Sequence, residues 1–88
     1  MANTVQAKKR ARQAEIHRQH NVAFRSRMRT AIKKVLKAAH EKDVTGGQTA
    51  YREAVSLIDR GTTKGILHKN TASRYKSRLN ARLRHASA

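Results

Sequence analysis

Apolar residues recur along this chain at three- and four-residue steps, in three separate stretches. Such steps place side chains on one face of an α-helix. The pattern predicts a first helix whose apolar face begins at residue 24. In that stretch the repeating positions are Phe24, Met28, Ala31 or Ile32, Val35 and Ala39.

Two further apolar stripes follow, and the four glycines of the chain lie between the three stripes. We interpret Gly46-Gly47 as the turn between the first two helices and Gly61 as the end of the second, with Gly61 and Gly65 supplying positive φ angles. Three stripes with short connections predict an all-α fold, a three-helix bundle in a single domain over residues 1–88. The second stripe is Ala50 or Tyr51, Ala54, and Leu57 or Ile58, and the third is Ala72, Tyr75, Leu79, Leu83 and Ala86.

The N-terminal stretch differs from the rest because residues 1–20 contain only two large apolar residues, Val5 and Ile16. So few apolar groups cannot offset the entropy of ordering the segment by packing. If the first helix runs unbroken to Glu41, it is about 50 to 60 Å long and projects beyond the others. We expect residues 1–20 to be a basic extension of helix 1 that is disordered in the free protein, and residues 21–88 to form the bundle.

Charge is distributed unevenly along the 88 residues, which carry 21 Lys and Arg against 5 Asp and Glu. The net charge is +10 over residues 1–37, −1 over residues 38–63 and +7 over residues 64–88. Like charges at this density oppose compaction unless a polyanion neutralises them. We therefore expect the two basic flanks to face a polyanion and the neutral middle segment to face water.

The basic run of the first flank is the strongest local motif. A run of charge is usually only a solvated face, but one acid in 37 residues leaves almost no i, i+4 partners to relieve the repulsion. A helix with cations around most of its circumference suits a groove between phosphate strands. The run comprises Lys8, Lys9, Arg10, Arg12, Arg18, Arg25, Arg27, Arg29, Lys33 and Lys34.

The kind of polyanion is narrowed by the three aromatic residues, Phe24, Tyr51 and Tyr75, which all fall on apolar stripes. They are predicted to lie in the core and not to stack on unpaired bases, so recognition should be by shape and backbone. Short polar residues among the cations suit RNA phosphates and 2′-hydroxyls, although they also suit duplex DNA. A nucleoid-type DNA-binding protein and a membrane-active cationic peptide remain alternatives.

Other functional classes have no candidate site in this sequence. There is no Cys, and His17 and His20 have no third ligand nearby, so neither a metal nor another cofactor is expected. No catalytic set can be assembled, so the chain is not expected to be an enzyme, and His68 is interpreted as a turn or phosphate-contacting residue. No apolar run is long enough to span a membrane, which predicts a cytoplasmic protein with no membrane partner. No homo-oligomer is expected.

Long strings of the sequence resemble a known family. After the opening MAN these are AKKRARQ, HNVAFRSRMRTAIKK and IDRGTTKGILHKNTASRYKSRL, which together span nearly the whole chain. In this order they closely resemble the bacterial small-subunit ribosomal protein family bS20.

The resemblance implies a three-helix bundle with an extended first helix that binds small-subunit (16S) ribosomal RNA directly and stabilises its folding and assembly. It also implies other small-subunit components as neighbours. The matching positions expected to touch RNA lie in helix 1 and near the start of helix 3. They are Lys8, Lys9, Arg10, Arg12, Arg25, Ser26, Arg29, Thr30, Lys33 and Lys34, with His68, Lys69, Asn70, Arg74, Lys76, Ser77 and Arg78.

Overall fold

The computed structural model describes residues 2–87, with side chains described for residues 4–86. It contains three helices: α1 over Ala2–His40, α2 over Val44–Thr63 and α3 over Lys69–Ser87. The described residues include no strand. The predicted all-α fold with three helices is therefore confirmed.

Helix α1 is about as long as the other two helices together. It has 39 residues, which at a rise of about 1.5 Å per residue span roughly 58 Å. The sequence permits a helix of this length because the chain has no proline at all and its first glycine is Gly46. The molecule measures 66 × 21 × 14 Å, so its longest dimension is set by α1. The predicted long first helix is confirmed.

Buried side chains from all three helices meet in one small core. Val35 of α1 and Ile58 of α2 are fully buried. The predicted stripes are confirmed with one shift, because Ala38 is buried at the end of the α1 stripe and Ala39 only half-buried. The core comprises Met28, Ala31, Val35, Ala54, Ile58, Ala72 and Leu79, and around it pack Ile32, Ala50, Tyr51, Leu57, Leu67, Tyr75 and Leu83.

The turn between α1 and α2 is not at Gly46-Gly47, so that prediction was wrong. It is made by Lys42, which has a φ of 58° although it is not a glycine. The amide of Lys42 donates to the carbonyl of Ala39 at 3.2 Å, and the amide of Asp43 donates to the carbonyl of Ala38 at 2.9 Å. This paired bonding ends α1 in a left-handed C-cap, and α2 can then start at once.

The two glycines instead lie in the first turn of α2, where they provide space. The Asp43 carboxylate caps the helix by accepting a hydrogen bond from the amide of Gly46 at 3.1 Å, and a Cβ at Gly46 would overlap that carboxylate. Gly47 is buried, and a Cβ there would lie 2.6 Å from Leu83 Cδ2 and 3.6 Å from Ala38 Cβ. Close packing, not a turn, is the role of this pair.

The predicted end of α2 at Gly61 was also wrong. The helix continues to Thr63, and Gly61 is buried within it, where an added Cβ would lie 3.1 Å from Cε1 of Phe24. Of the two glycines expected to have positive φ, only Gly65 does, with a φ of 76°. The amide of Ile66 donates to the carbonyl of Gly61 at 2.8 Å and completes this second C-cap.

Candidate nucleic-acid interface

The N-terminal half of α1, residues 4–23, has no buried side chain, and we call it the stalk. Its three large apolar residues reach solvent, with Val5 70%, Ile16 47% and Val22 55% exposed. Successive residues on a helix are rotated by roughly 100°. Lys8 and Arg12 therefore share one face, whereas Lys9, Arg10 and Arg18 point in three other directions, and all five are exposed. The stalk is a rod whose positive charge is accessible from every side.

Glu15, the single acid of the stalk, is hydrogen-bonded to neighbouring side chains of the same helix. Arg18 donates to both of its carboxylate oxygens, at 2.7 and 3.0 Å, and Gln19 adds a third hydrogen bond at 3.3 Å. The bond from Arg18 is the main cause that lowers the pKa of Glu15 below its ordinary value. Because this pair is exposed, it adds little stability. Its effect is to engage Arg18, one of the predicted RNA-binding residues.

At the base of the stalk, α1 borders the connection between α2 and α3. A cavity of about 500 Å³ is lined there by His17, His20, Arg27 and Lys64 among others, with no acid in its wall. Lys64 Nζ lies 4.9 Å and Arg27 Cζ 5.8 Å from the centre of the Phe24 ring, distances at which a cation is attracted to an aromatic face. Lys64 was not among the predicted residues, because sequence reasoning placed it in a turn.

The part of α1 that packs in the bundle keeps its predicted polar residues at the surface. Ser26, Lys33 and Lys34 are exposed. The hydroxyl of Thr30 donates to the carbonyl of Ser26 at 3.0 Å, and Arg25 donates to the carbonyl of Ile66 at 3.3 Å. Arg25 therefore also joins α1 to the connection between α2 and α3.

His68 lies immediately before the start of α3. From the sequence, it was interpreted as a turn residue or a phosphate-contacting residue. Its Nδ1 accepts a hydrogen bond from the amide of Asn70 at 3.1 Å, so the imidazole caps the helix. The side chains of His68, Lys69 and Asn70 are all exposed. Further along α3, Arg74 donates to the hydroxyl of Thr71 at 3.4 Å.

Lys76 forms an ion pair with a residue of another helix. Its ammonium lies 2.9 Å from a carboxylate oxygen of Asp59 on α2, and its side chain is only 36% exposed. The hydroxyl of Tyr51 donates to the backbone carbonyl of Lys76 at 3.4 Å. These contacts join α2 to α3. Sequence spacing could not reveal them, since Asp59 and Lys76 are 17 residues apart.

A groove between α1 and α3 collects cations from both flanks of the sequence. Arg29 of α1 lines it together with Arg78, Arg82 and His85 of α3. Arg29 and Arg78 were predicted from sequence, whereas Arg82 and His85 were missed. Arg82 lies one helical turn after Arg78, and that spacing is the signal that could have found it.

The predicted residues as a set lie on two elements only. All are on α1 or between His68 and Arg78, and all are exposed apart from the half-buried Lys76. Helix α2 contributes none. Four of the five acids lie at Glu41, Asp43, Glu53 and Asp59, in the α1–α2 connection and on α2 itself. The separation of charge seen in the sequence is thus also a separation between elements of the fold.

The described residues provide neither a metal site nor a membrane span. Within residues 2–87, no group of three or more His, Asp and Glu side chains is arranged to hold a metal ion. None of the three helices described is both long enough and apolar enough to cross a membrane.

The fold and its surface define a small, basic, all-helical protein with one long exposed cationic helix. Residues 2–84 match the family model described as ribosomal protein S20. The small ribosomal subunit protein bS20 of Methylococcus capsulatus is 57% identical over 84 residues, covering 96% of this chain and 91% of the relative. That of Cellvibrio japonicus is 56% identical over 88 residues and covers both chains completely.

The chain belongs to the ribosomal protein S20 family. It is thus a structural protein of the small ribosomal subunit and not an enzyme, and its place is with the ribosome in the bacterial cytoplasm. The resemblance seen in the sequence strings is confirmed.

Proposed function

We propose that this protein binds small-subunit (16S) ribosomal RNA directly and stabilises the folding of that RNA during assembly. The observation that carries the proposal is the stalk, a helix with no buried side chain, five Lys and Arg and one acid. No packing within the chain accounts for such a segment. A phosphate-lined groove accounts for it, since it can surround the rod and contact cations on every side.

The bundle supplies a second contact surface in this proposal. The predicted cations on α1 and α3 are exposed to solvent, apart from the half-buried Lys76. Four of the five acids lie elsewhere, on α2 or in the connection that precedes it. A protein with two basic elements joined at a fixed angle can contact two RNA segments at once. Holding two segments in one arrangement is how such a protein would favour a folded RNA over its open forms.

We also propose that the basic extension over residues 1–20, of which Met1 lies outside the described residues, gains order on binding RNA. Its like charges repel one another, and over residues 4–20 no buried side chain offsets the entropy of ordering it. Circular dichroism of the free chain should show less helix than that of the RNA complex. Amide hydrogen exchange should become protected in this segment only when RNA is added, whereas residues of α2 should be protected in both states.

The proposal is tested by comparing three polyanions in one salt series: transcribed small-subunit ribosomal RNA, duplex DNA of equal phosphate number and anionic lipid vesicles. We expect binding to RNA to persist at about 0.2 M salt, where nonspecific binding to the other two has weakened strongly. Equal affinity for RNA and DNA at that salt would leave only counterion release and would contradict the proposal. Preference for DNA would favour a nucleoid-type protein.

A further inference from the structure

The groove between α1 and α3 has an apolar floor that phosphate binding does not explain. It has a volume of about 590 Å³, and Ile32, Leu36, Tyr75 and Leu79 contribute to its lining. Leu36 is 39% exposed although it is a large apolar side chain. Exposed apolar surface of this kind costs free energy in water unless something covers it.

The rim of the same groove is entirely cationic or neutral. Arg29 stands on the α1 side, and Arg78, Arg82 and His85 stand on the α3 side, with no acid among the lining residues. A smaller recess of about 160 Å³ continues toward Ile66 and shares Arg29, Ile32 and Tyr75 with the main groove. The shape is a slot with an apolar base between two positive edges.

We infer that this groove takes one unpaired nucleobase of the bound RNA, with the phosphates on either side of that nucleotide held by the arginines of the rim. An unpaired nucleotide joins the two chemistries that the groove presents, an apolar base face and flanking negative charges. The volume falls within the usual range of small-molecule pockets, so a base with its sugar fits. A second copy of this chain does not match, because its own charge of +16 would be repelled by the rim.

The inference rests on the proposed RNA binding and adds to it a contact that the sequence argument did not include. From the sequence, base contacts were considered only for aromatic side chains, and Tyr75 is indeed half-buried against the core. The floor of the groove is instead mostly aliphatic, and aliphatic side chains cover a base face without reading its identity. The expected contact is therefore selective for an unpaired nucleotide and tolerant of which base it carries.

Leu36→Gln tests the floor without removing a charge or a buried side chain. Leucine and glutamine have similar helix propensity, so the fold should persist, and circular dichroism checks this. We expect affinity for small-subunit ribosomal RNA to fall by about five- to tenfold with an unchanged salt slope. Affinity for inorganic polyphosphate, which has no bases, should not change. The matched control is Val44→Gln, which alters an apolar residue of similar exposure, 36%, outside the groove.

A photo-crosslinking residue, p-benzoyl-phenylalanine, placed at position 36 identifies the occupant in assembled small subunits. An adduct on an unpaired nucleotide supports the inference. An adduct on a ribosomal protein, on a base-paired nucleotide, or no adduct overturns it, as does Leu36→Gln binding RNA as tightly as the unmodified chain. Failure of the proposed function is a separate result, since it appears as equal binding of the unmodified chain to RNA and duplex DNA.

Discussion

The stalk and the bundle are built from the same helix α1, yet different physical effects hold them. From Phe24 onward α1 has an apolar face against α2 and α3, and Val35 at its centre is fully buried. Over residues 4–23 no side chain is buried, and helical structure depends on intrinsic propensity alone. One continuous helix therefore passes from a part stabilised by packing to a part without tertiary support.

Stability and RNA binding can therefore be changed independently in this protein. Mutations in the bundle core should alter the free energy of unfolding and leave the salt dependence of RNA binding unchanged. Mutations of stalk cations should change the salt dependence of RNA binding and leave the free energy of unfolding unchanged.

Replacing Lys8, Lys9, Arg10 and Arg12 together by Gln should weaken RNA binding most. Because four cations would no longer neutralise phosphates, we expect affinity at about 0.05 M salt to fall by about a thousandfold and the salt slope to decrease by about three. Thermal unfolding of the bundle should not change. A filter-binding salt series measures the first effect, and far-UV circular dichroism the second.

The matched control for the stalk variant is Arg52→Gln with Arg60→Gln, which removes two exposed charges from α2. We expect it to leave the salt slope nearly unchanged, since α2 carries no predicted contact. A decrease in affinity per charge as large as in the stalk would show that net charge, and not position, determines binding.

Ile58→Ala should lower the free energy of unfolding by about 3 kcal/mol, because it leaves a cavity at a fully buried site. Val22→Ala on the stalk, where the side chain is 55% exposed, should change it by less than about 0.5 kcal/mol. Urea unfolding followed by circular dichroism gives both values. Equal decreases in the two variants would mean that the stalk is packed in solution, and the comparison would fail.

Lys42→Gly should stabilise the bundle by about 0.5 to 1 kcal/mol, because Lys42 has a positive φ that glycine adopts without a Cβ clash. The gain is partly offset by the greater backbone freedom of glycine in the unfolded chain. Lys42→Ala keeps the Cβ and serves as the control, with little change expected. RNA affinity should be unaffected. A decrease in stability on introducing glycine would contradict this account of the turn.

Glu15→Gln should raise RNA affinity by about threefold at low salt, since it frees Arg18 for a phosphate. Glu53→Gln changes the net charge equally on α2 and should give no such gain. Arg18 lowers the pKa of Glu15, so the pair is present above that pKa and lost as pH falls through it. The difference between Glu15→Gln and the unmodified chain should accordingly disappear in acid, which a pH series of binding measurements detects.

The sequence predicted most of the fold because its signals were periodic and long. The stripe from Phe24 to Val35 identified the core face of α1, and the absence of proline and early glycine allowed its length. The first connection was placed wrongly, and the second was predicted to begin two residues too early, because Gly46-Gly47 and Gly61 were taken to mark turns. At Lys42 the turn is fixed by backbone hydrogen bonds and by the Asp43 cap, and Gly47 and Gly61 are needed instead for close packing.

The sequence could identify the charged residues of the candidate interface, but not how those residues are arranged in space. The sequence located the basic flanks, but pairs such as Lys76 with Asp59 arise only when distant segments meet. Lys76 is therefore a predicted contact whose substitution by Gln would also disturb the bundle, whereas the exposed Lys69 offers a comparison in the same region.

The helical class, the long first helix, the core residues and the separation of charge could be predicted from the sequence, because each follows from residue spacing along one chain. The exact bounds of the connections, the partners of cations such as Lys76, and the apolar groove bordered by Arg29, Arg78 and Arg82 became visible in the fold alone. These features depend on the distance between residues on different helices. That distance is set by how closely small residues such as Ala54 and Gly47 allow the helices to pack.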